Sequence, residues 1–303
     1  MRCRLLLAAL AALAGTAVLS AQIFRGGADI VLLNVTVTDA EGRFVSQLGK
    51  DDFQVFEDGR IQEISNFIGT QQPIALSILL DTSTSMEKRL SIAQEAAIGF
   101  IRRLGPQDVA QIMSFDSRAE TLQDFTGDRE ALEAAILRTR AGGSTALYNA
   151  VYTALSDLKR IRARSPNEIR RQSIVVLSDG EDTSSLVDYA QVEDAAKRSD
   201  VSIYTVGLRT REDAPQRGFN EADFVLRTLA LDTGGRVFYV QEISQLPAIY
   251  QQIADELANQ YTMGYTSNNP GRDGAWRRIV VKVTQPSVSA RTKSGYFAPT
   301  PTR

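Results

Sequence analysis

The chain has 303 residues, enough for one large domain or two smaller ones with a substantial core. Its 43% hydrophobic and 23% charged content, with a formal net charge of -2, exclude the strongly basic surface that nucleic acid or an anionic membrane would need. Histidine is absent, which removes Ser-His-Asp and Cys-His catalysis and any His-bound zinc.

Residues 1–21 read as a secretory signal peptide. Arg2 and Arg4 precede an apolar stretch over 5–19, and Leu19-Ser20-Ala21 supplies a small-residue exit, with cleavage expected after Ala21. A retained anchor is the competing reading, for which the apolar stretch is slightly short. The expected location is secreted or periplasmic, with no transmembrane segment after cleavage. Loss of Arg2 and Arg4 moves the net charge from -2 to -4. Cys3, the sole cysteine, stands before the apolar run, where a lipoprotein cysteine would not be, and leaves with the peptide. Stability of the mature chain then rests on packing and metal rather than disulfides.

Residues 28–72 have strand grammar. The β-branched run 30–38 ends at the turn signal Asp39-Ala40-Glu41-Gly42, and 53–57 and 61–64 alternate around Asp58-Gly59-Arg60 as a hairpin. From residue 73 to 260 strands alternate with helices. Strands are expected at 73–80, 109–115, 173–178, 201–206 and 236–240, with an edge strand near 121–125. Apolar residues at helical spacing mark helices around Leu90 to Leu104, Leu132 to Ile136, Leu147 to Leu158, 189–197, 223–231 and Ile243 to Leu257, the last with Pro247 in its first turn. This alternation predicts an α/β fold, a doubly wound, mostly parallel sheet flanked by helices. Strand-like segments return over 261–298, at 261–266, 276–283 and 288–297. They are expected to pack with 28–72 as a small accessory β module, and the tail from Pro299 to fray.

Three segments carry oxygen donors to one predicted sheet edge. Asp81-Thr82-Ser83-Thr84-Ser85 leaves the strand 73–80. Gly142-Gly143-Ser144-Thr145 opens the helix containing Leu147, and Asp179 leaves the strand 173–178. The carboxyl edge of such a sheet is where ligands bind, and oxygen-only donors favour a hard divalent cation, Mg²⁺ first. Each segment has a plainer reading: Ser83, Ser85, Ser144 or Thr145 as a helix cap, and Asp179-Gly180 as a turn. Joint placement favours the cation, because two aspartates at adjacent strand ends repel unless one bridges them.

These residues resemble the metal-ion-dependent adhesion site of von Willebrand factor A domains: Asp-x-Ser-x-Ser, a threonine in a Gly-rich loop, and Asp-Gly on a later strand. The likeness covers roughly 73–260. More narrowly, the chain is similar to exported bacterial A-domain-related proteins of the Acidobacteria type. That subgroup's pattern is visible in residues 51–59, 80–86, 177–182 and 261–265 and in Ser294-Gly295-Tyr296-Phe297. The resemblance implies Asp81, Ser83, Ser85, Thr145 and Asp179 as metal ligands, with Mg²⁺ bound and Mn²⁺ or Ca²⁺ as substitutes. It also implies a protein partner whose Asp or Glu completes the coordination, and no enzymatic activity.

Two enzyme readings compete. Ser85-Met86-Glu87-Lys88 fits Ser-x-x-Lys and Lys293-Ser294-Gly295 resembles Lys-Thr-Gly, which would make Ser85 an acylated nucleophile activated by Lys88. Against this, Asp81 and Ser83 would have no role. Asp81 is also placed like a phosphoaspartyl nucleophile, but Ser83 stands where such metal-dependent phosphoryl-transfer enzymes carry a second aspartate. Asp116 reads as a turn former or an outer partner of the site. Asp39, Glu41, Glu57 and Asp58 read as hairpin-turn acids, and Tyr261, Tyr265, Trp276, Tyr296 and Phe297 as core of the β module.

Overall fold

The structure is a computed structural model that describes residues 30–69, 71–164, 170–179, 181–208 and 221–300. The expected signal peptide, residues 1–21, lies outside the described residues. The amino-terminal strands are β1 (Ile30–Asp39), β2 (Phe53–Glu57), β3 (Arg60–Gln62) and β4 (Ile64–Ile68). An alternating segment follows: β5 (Ile74–Asp81), α1 (Leu90–Ile101), β6 (Val109–Phe115), β7 (Ala119–Thr126), α2 (Arg129–Arg138) and α3 (Leu147–Arg164). It continues with β8 (Arg171–Ser178), α4 (Tyr189–Lys197), β9 (Ser202–Leu208), α5 (Glu221–Asp232), β10 (Val237–Val240) and α6 (Leu246–Ala258). The last strands are β11 (Tyr261–Thr266), β12 (Trp276–Val283), β13 (Val288–Arg291) and β14 (Gly295–Phe297).

Strands β5, β8 and β9 are buried at every position, as parallel strands covered on both faces must be. They form the middle of a six-stranded sheet ordered β10-β9-β8-β5-β6-β7. All its pairs are parallel except β6 with β7. Leu76, Ile78 and Leu80 face a core shared with Phe100 of α1 and Tyr250 of α6. Ala75 and Leu79 face the opposite core, with Leu147 and Leu155 of α3 and Leu229 of α5. The fold is thus α/β, with a mixed, mostly parallel sheet between helices. The chain runs from β5 to β6 on one side and later returns through β8 on the other. The carboxyl end of β5 is therefore a topological switch point, where open α/β sheets have a crevice.

The remaining strands build two four-stranded sheets, β13-β1-β11-β4 and β14-β12-β2-β3. Each mixes strands from before and after the α/β segment, and Leu33, Val35, Val55, Tyr261 and Tyr265 fill the core between them. These sheets lie at the amino edge of the central sheet. Arg291 donates to Gly234 O at 2.6 Å and to Gly235 O, just ahead of β10, and Lys293 pairs with Asp200, just ahead of β9.

The structure differs from the sequence reading in several places. Residues 61–64 are not one strand: the chain changes sheets at Glu63, so β3 pairs with β2 while β4 pairs with β11. Residues 288–297 divide likewise into β13, on β1, and β14, on β12. Alternation alone cannot reveal such a change of sheet, because both halves keep a strand period. Glu57 is no turn acid. It is 2% exposed and accepts hydrogen bonds from Tyr265 Oη, Tyr296 Oη, Ser267 Oγ and Arg277 Nη1. Trp276 and Phe297 are only half-buried and lie under Lys197 and Arg198 of the α4 end rather than in the module's core. Pro299 does not fray, since its carbonyl accepts from Gly274 N at 3.3 Å. Among the described residues no helix is long and apolar enough to cross a membrane.

Candidate metal centre

Strand β5 ends at Asp81, whose side chain is carried beneath the surface by the strand's own burial: the residue is 0% exposed. Its Oδ1 accepts from the Ser83 backbone N–H at 2.9 Å, folding the segment back in an Asx turn. Its Oδ2 accepts from Ser178 Oγ at 2.6 Å. Register explains that second contact. Leu80 lies opposite Leu177 in the parallel pair, so the next residues along, Asp81 and Ser178, are neighbours. Both donors are neutral, and among the described residues no cationic side chain pairs with Asp81. Burial, the largest influence, raises the Asp81 pKa above the usual carboxylate value, and the nearby Asp179 charge adds to it.

From Asp81 the oxygen donors continue outward in a chain. Ser83 Oγ and Ser85 Oγ are 3.0 Å apart, and Ser85 Oγ donates to Asp179 Oδ1 at 2.7 Å. Ser83 is buried, whereas Ser85 is exposed and Met86 beneath it is fully buried. Neither serine hydroxyl caps a helix by a side-chain hydrogen bond, since Ser83 precedes the turn Thr84–Met86 without one.

The glycine-rich loop is fastened to the β5 exit through backbone contacts. Gly142 N donates to Thr82 O at 2.8 Å, and Thr84 N and Thr84 Oγ1 donate to Gly143 O at 3.1 and 2.9 Å. Gly143 has φ +77°, and a Cβ there would stand 2.6 Å from Ser117 Oγ, so the position tolerates glycine alone without strain. Thr145 is then held from the β8 side. Its N–H donates to Thr183 Oγ1 at 3.0 Å, and its carbonyl accepts from Thr183 N at 2.8 Å and Ser184 N at 3.2 Å. The Thr145 residue is 6% exposed, and its hydroxyl makes no hydrogen bond among the described residues.

The structure therefore links Ser83, Ser85 and Asp179 through their side chains and joins Asp81 to them through the Ser83 backbone N–H. It brings Thr145 to the same edge through the loops on either side. It does not bring the Lys293-Ser294-Gly295 motif there. Lys293 pairs with Asp200 and Ser294 Oγ donates to Asp232 Oδ1 at 3.2 Å, both at the opposite edge of the sheet from Ser85. Lys88 is exposed on the turn before α1. Asp116 forms a turn, accepting from Arg118 N at 3.1 Å, while its carbonyl takes the Ala146 N–H at 2.7 Å. It shapes the loop and sends no carboxylate to the cluster.

Four contributors were not read from the sequence. Ser178 reads only as the last residue of its strand, and nothing in the sequence marks it as the neighbour of Asp81. Asp182 accepts from Tyr148 N in the first turn of α3 at 3.0 Å, and Thr183 grips Thr145. Arg89 Nη1 donates to Asp179 Oδ2 at 2.5 Å, an ion pair whose side chains are 16% and 2% exposed. Its spacing of four from Ser85 was the available signal.

The donor set suits a hard divalent cation. It contains two carboxylates and three hydroxyls and neither nitrogen nor sulfur, and among the described residues no group of three or more His, Cys, Asp or Glu side chains is clustered for a metal. A cation here would have to rely on hydroxyls, and Asp81 supplies a desolvated carboxylate that no cationic side chain among the described residues offsets.

Residues 76–252 match the von Willebrand factor type A domain model. The chain belongs to this family. It is 26% identical over 222 residues to a UPF0353 protein of Nocardia farcinica, covering 63% of this chain and 65% of that one. It is also 26% identical over 191 residues to an uncharacterized protein of Synechocystis sp., covering 62% and 42% respectively. The chain thus spans roughly two-fifths to two-thirds of the curated relatives it matches. Among solved structures, a von Willebrand factor type A protein from Catenulispora acidiphila aligns with TM-score 0.54 at 13% identity, over 91% of this chain and 76% of that one. Proximal thread matrix protein 1 from mussel byssus, in a form with a zinc-occupied MIDAS motif, aligns with TM-score 0.50 at 15% identity, over 66% and 49%. At such identities these two likenesses concern the fold.

Proposed function

We propose that the chain is an exported, non-enzymatic interaction module that binds an acidic group of a protein partner through a divalent cation. Asp81, Ser83, Ser85, Thr145 and Asp179 would hold that cation, Mg²⁺ in the first instance, with Mn²⁺ or Ca²⁺ as substitutes. Bound there, it would supply an electrophilic point for a carboxylate oxygen. The observation that carries the reading is a fully buried Asp81 met, among the described residues, only by neutral donors, from which hydroxyls lead out to Asp179. Desolvating a carboxylate without a countercharge is costly, and a cation shared with Asp179 offsets that cost. Exposure of Ser85 leaves the outer side of the cluster reachable by a partner.

A non-enzymatic role is supported by the placement of the competing groups. Ser85 Oγ donates to Asp179 rather than to Lys88, which is exposed, and the Lys293-Ser294-Gly295 motif lies at the far edge. Export rests on the reading of residues 1–21. The test is calorimetric titration of the mature chain with MgCl₂ and MnCl₂, alongside partner capture from the exported fraction with and without EDTA. Wild type is expected to bind one equivalent, and Asp81→Ala to lose binding by at least about a hundredfold. Wild-type protein that takes up neither metal would refute the reading.

A further inference from the structure

The outer face of the sheet β14-β12-β2-β3 is covered at its Trp276 end. There Trp276 and Phe297, opposite each other in register, lie under Lys197 and Arg198, whose cations stand 5.4 Å and 4.2 Å from the two ring centroids. Four residues along β12, and so on the same face, stands Val280. Register sets Val280 opposite Phe56 and Phe56 opposite Ile61, an apolar row across three strands. Val280 is 37% and Ile61 58% exposed, and Phe56 is half-buried. None of the three joins the core between the sheets, whereas their strand neighbours Val55, Ile279 and Val281 do.

Cations bracket this row. Arg278 and Lys282 lie two residues before and after Val280 on the same face, both exposed and without an ion-pair partner among the described residues. Lys282 Nζ stands 5.1 Å from the Phe56 ring centroid, a cation over the row's own aromatic. The remaining charges of β2, β3 and their flanks are turned to other tasks or stand at the ends. Glu57 faces the core side, where Arg277 pairs with it, and Arg60 stands opposite Glu57. Asp58, in the turn, gives its Oδ1 to the Arg278 backbone N–H at 2.9 Å, and Glu63 is where the chain changes sheets.

We infer that this row is a second docking surface, for an extended segment of a partner protein that alternates carboxylates with apolar side chains. Along such a segment the side chains of one face repeat every two residues, about 6.7 Å. That is the spacing of Arg278, Val280 and Lys282, so two carboxylates meet the cations when the apolar residue between them lies on Val280 and Phe56. Charge complementarity then fixes the register, and apolar contact supplies affinity. A lipid surface suits the face less well, because two cations on a chain of net charge -2 offer little to an anionic bilayer. The surface lies in the β sheets at the amino edge, away from the metal centre, and acts without it.

The experiment follows amide NMR shifts of the isotope-labelled chain during titration with the blocked pentapeptides Glu-Val-Glu-Val-Glu and Lys-Val-Lys-Val-Lys. In wild type the acidic peptide is expected to shift Phe56, Ile61 and Val280, less strongly as salt is raised. The double variant Arg278→Glu/Lys282→Glu is expected to bind the acidic peptide at least about tenfold more weakly and to accept the basic one. Val280→Thr keeps strand propensity and is expected to weaken binding several-fold. Circular dichroism confirms that each variant is folded. EDTA is expected to change nothing, so failure of this inference and failure of the metal reading are separate results. Absence of shifts along the row in wild type, or undiminished binding of the acidic peptide by the double variant, would overturn the inference. So would sedimentation with phosphatidylglycerol vesicles in place of peptide binding, or a dimer that Val280→Thr dissociates, since each puts another occupant on the face.

Discussion

Asp81 and Glu256 are buried carboxylates, 0% and 1% exposed, at opposite edges of one sheet, and they are treated in opposite ways. Glu256 Oε1 accepts from Tyr204 Oη at 2.7 Å, Thr36 Oγ1 at 3.1 Å and Arg291 Nη2 at 2.5 Å. Those donors come from β9, β1 and β13, so the carboxylate joins the α/β segment to the β sheets. Arg171 repeats the arrangement nearby, donating to Gln260 O at 3.1 Å and Gln72 O at 3.2 Å, where the chain leaves and enters that segment. Among the described residues Asp81 meets neutral donors only. A charge given its counterion by the fold serves structure, whereas one denied it invites a cation from solution.

The sharpest way to break this comparison is to remove the counterion at the amino edge. Arg291→Ala strands Glu256 as a buried, uncompensated charge and is expected to cost about 3–5 kcal/mol, read as a lowered urea midpoint. An unchanged midpoint would mean that the junction is solvated and Glu256 no weld at all.

Matched amide substitutions sharpen it further, measured in EDTA. Glu256→Gln leaves Arg291 without its partner and should cost about 2 kcal/mol. Asp81→Asn removes a charge that burial penalises, keeps the shape and one acceptor oxygen for Ser83 N–H, and lets the Ser178 hydroxyl turn to accept from the new amide, so metal-free stability should stay level or rise by up to about 1 kcal/mol. The same change should abolish Mg²⁺-dependent stabilisation, which in wild type is expected to reach about 2.7 kcal/mol at a hundred times the dissociation constant. If both substitutions destabilise alike in EDTA, the two carboxylates are equivalent structural groups.

A smaller effect is expected in the loop that presents Thr145. Gly143→Ala must accommodate φ +77° and a contact at 2.6 Å with Ser117 Oγ, at a cost of about 1–2 kcal/mol by thermal denaturation. Mg²⁺ affinity should fall with it, because Gly143 O anchors Thr84 beside Ser85. Full affinity in that variant would show that the loop's contribution is not geometric.

Much of the α/β segment was legible because its signals are local. Continuous apolar runs mark β5 and β8, helical spacing marks α1 and α6, and an aspartate at each strand exit marks the edge where they meet. The β sheets were less so: β3 and β4 read as one strand, as did β13 and β14, since a change of sheet leaves the two-residue period unbroken. Glu57 read as a turn acid because its partners Tyr265, Tyr296 and Arg277 lie more than two hundred residues away in sequence.

The sequence by itself determined the oxygen chemistry of the cluster, the alternation that carries it and the absence of histidine. Those are properties of residue type and short spacing. Tertiary structure alone decided which carboxylates receive a cation from the protein, Glu57 from Arg277 and Glu256 from Arg291, and that Asp81 receives none among the described residues. It also decided that Ser178 supports Asp81 and that Arg89 reaches Asp179. Counterions are assigned by strand register and by contacts between distant segments, and the electrostatic fate of a buried charge follows from those neighbours rather than from its own identity.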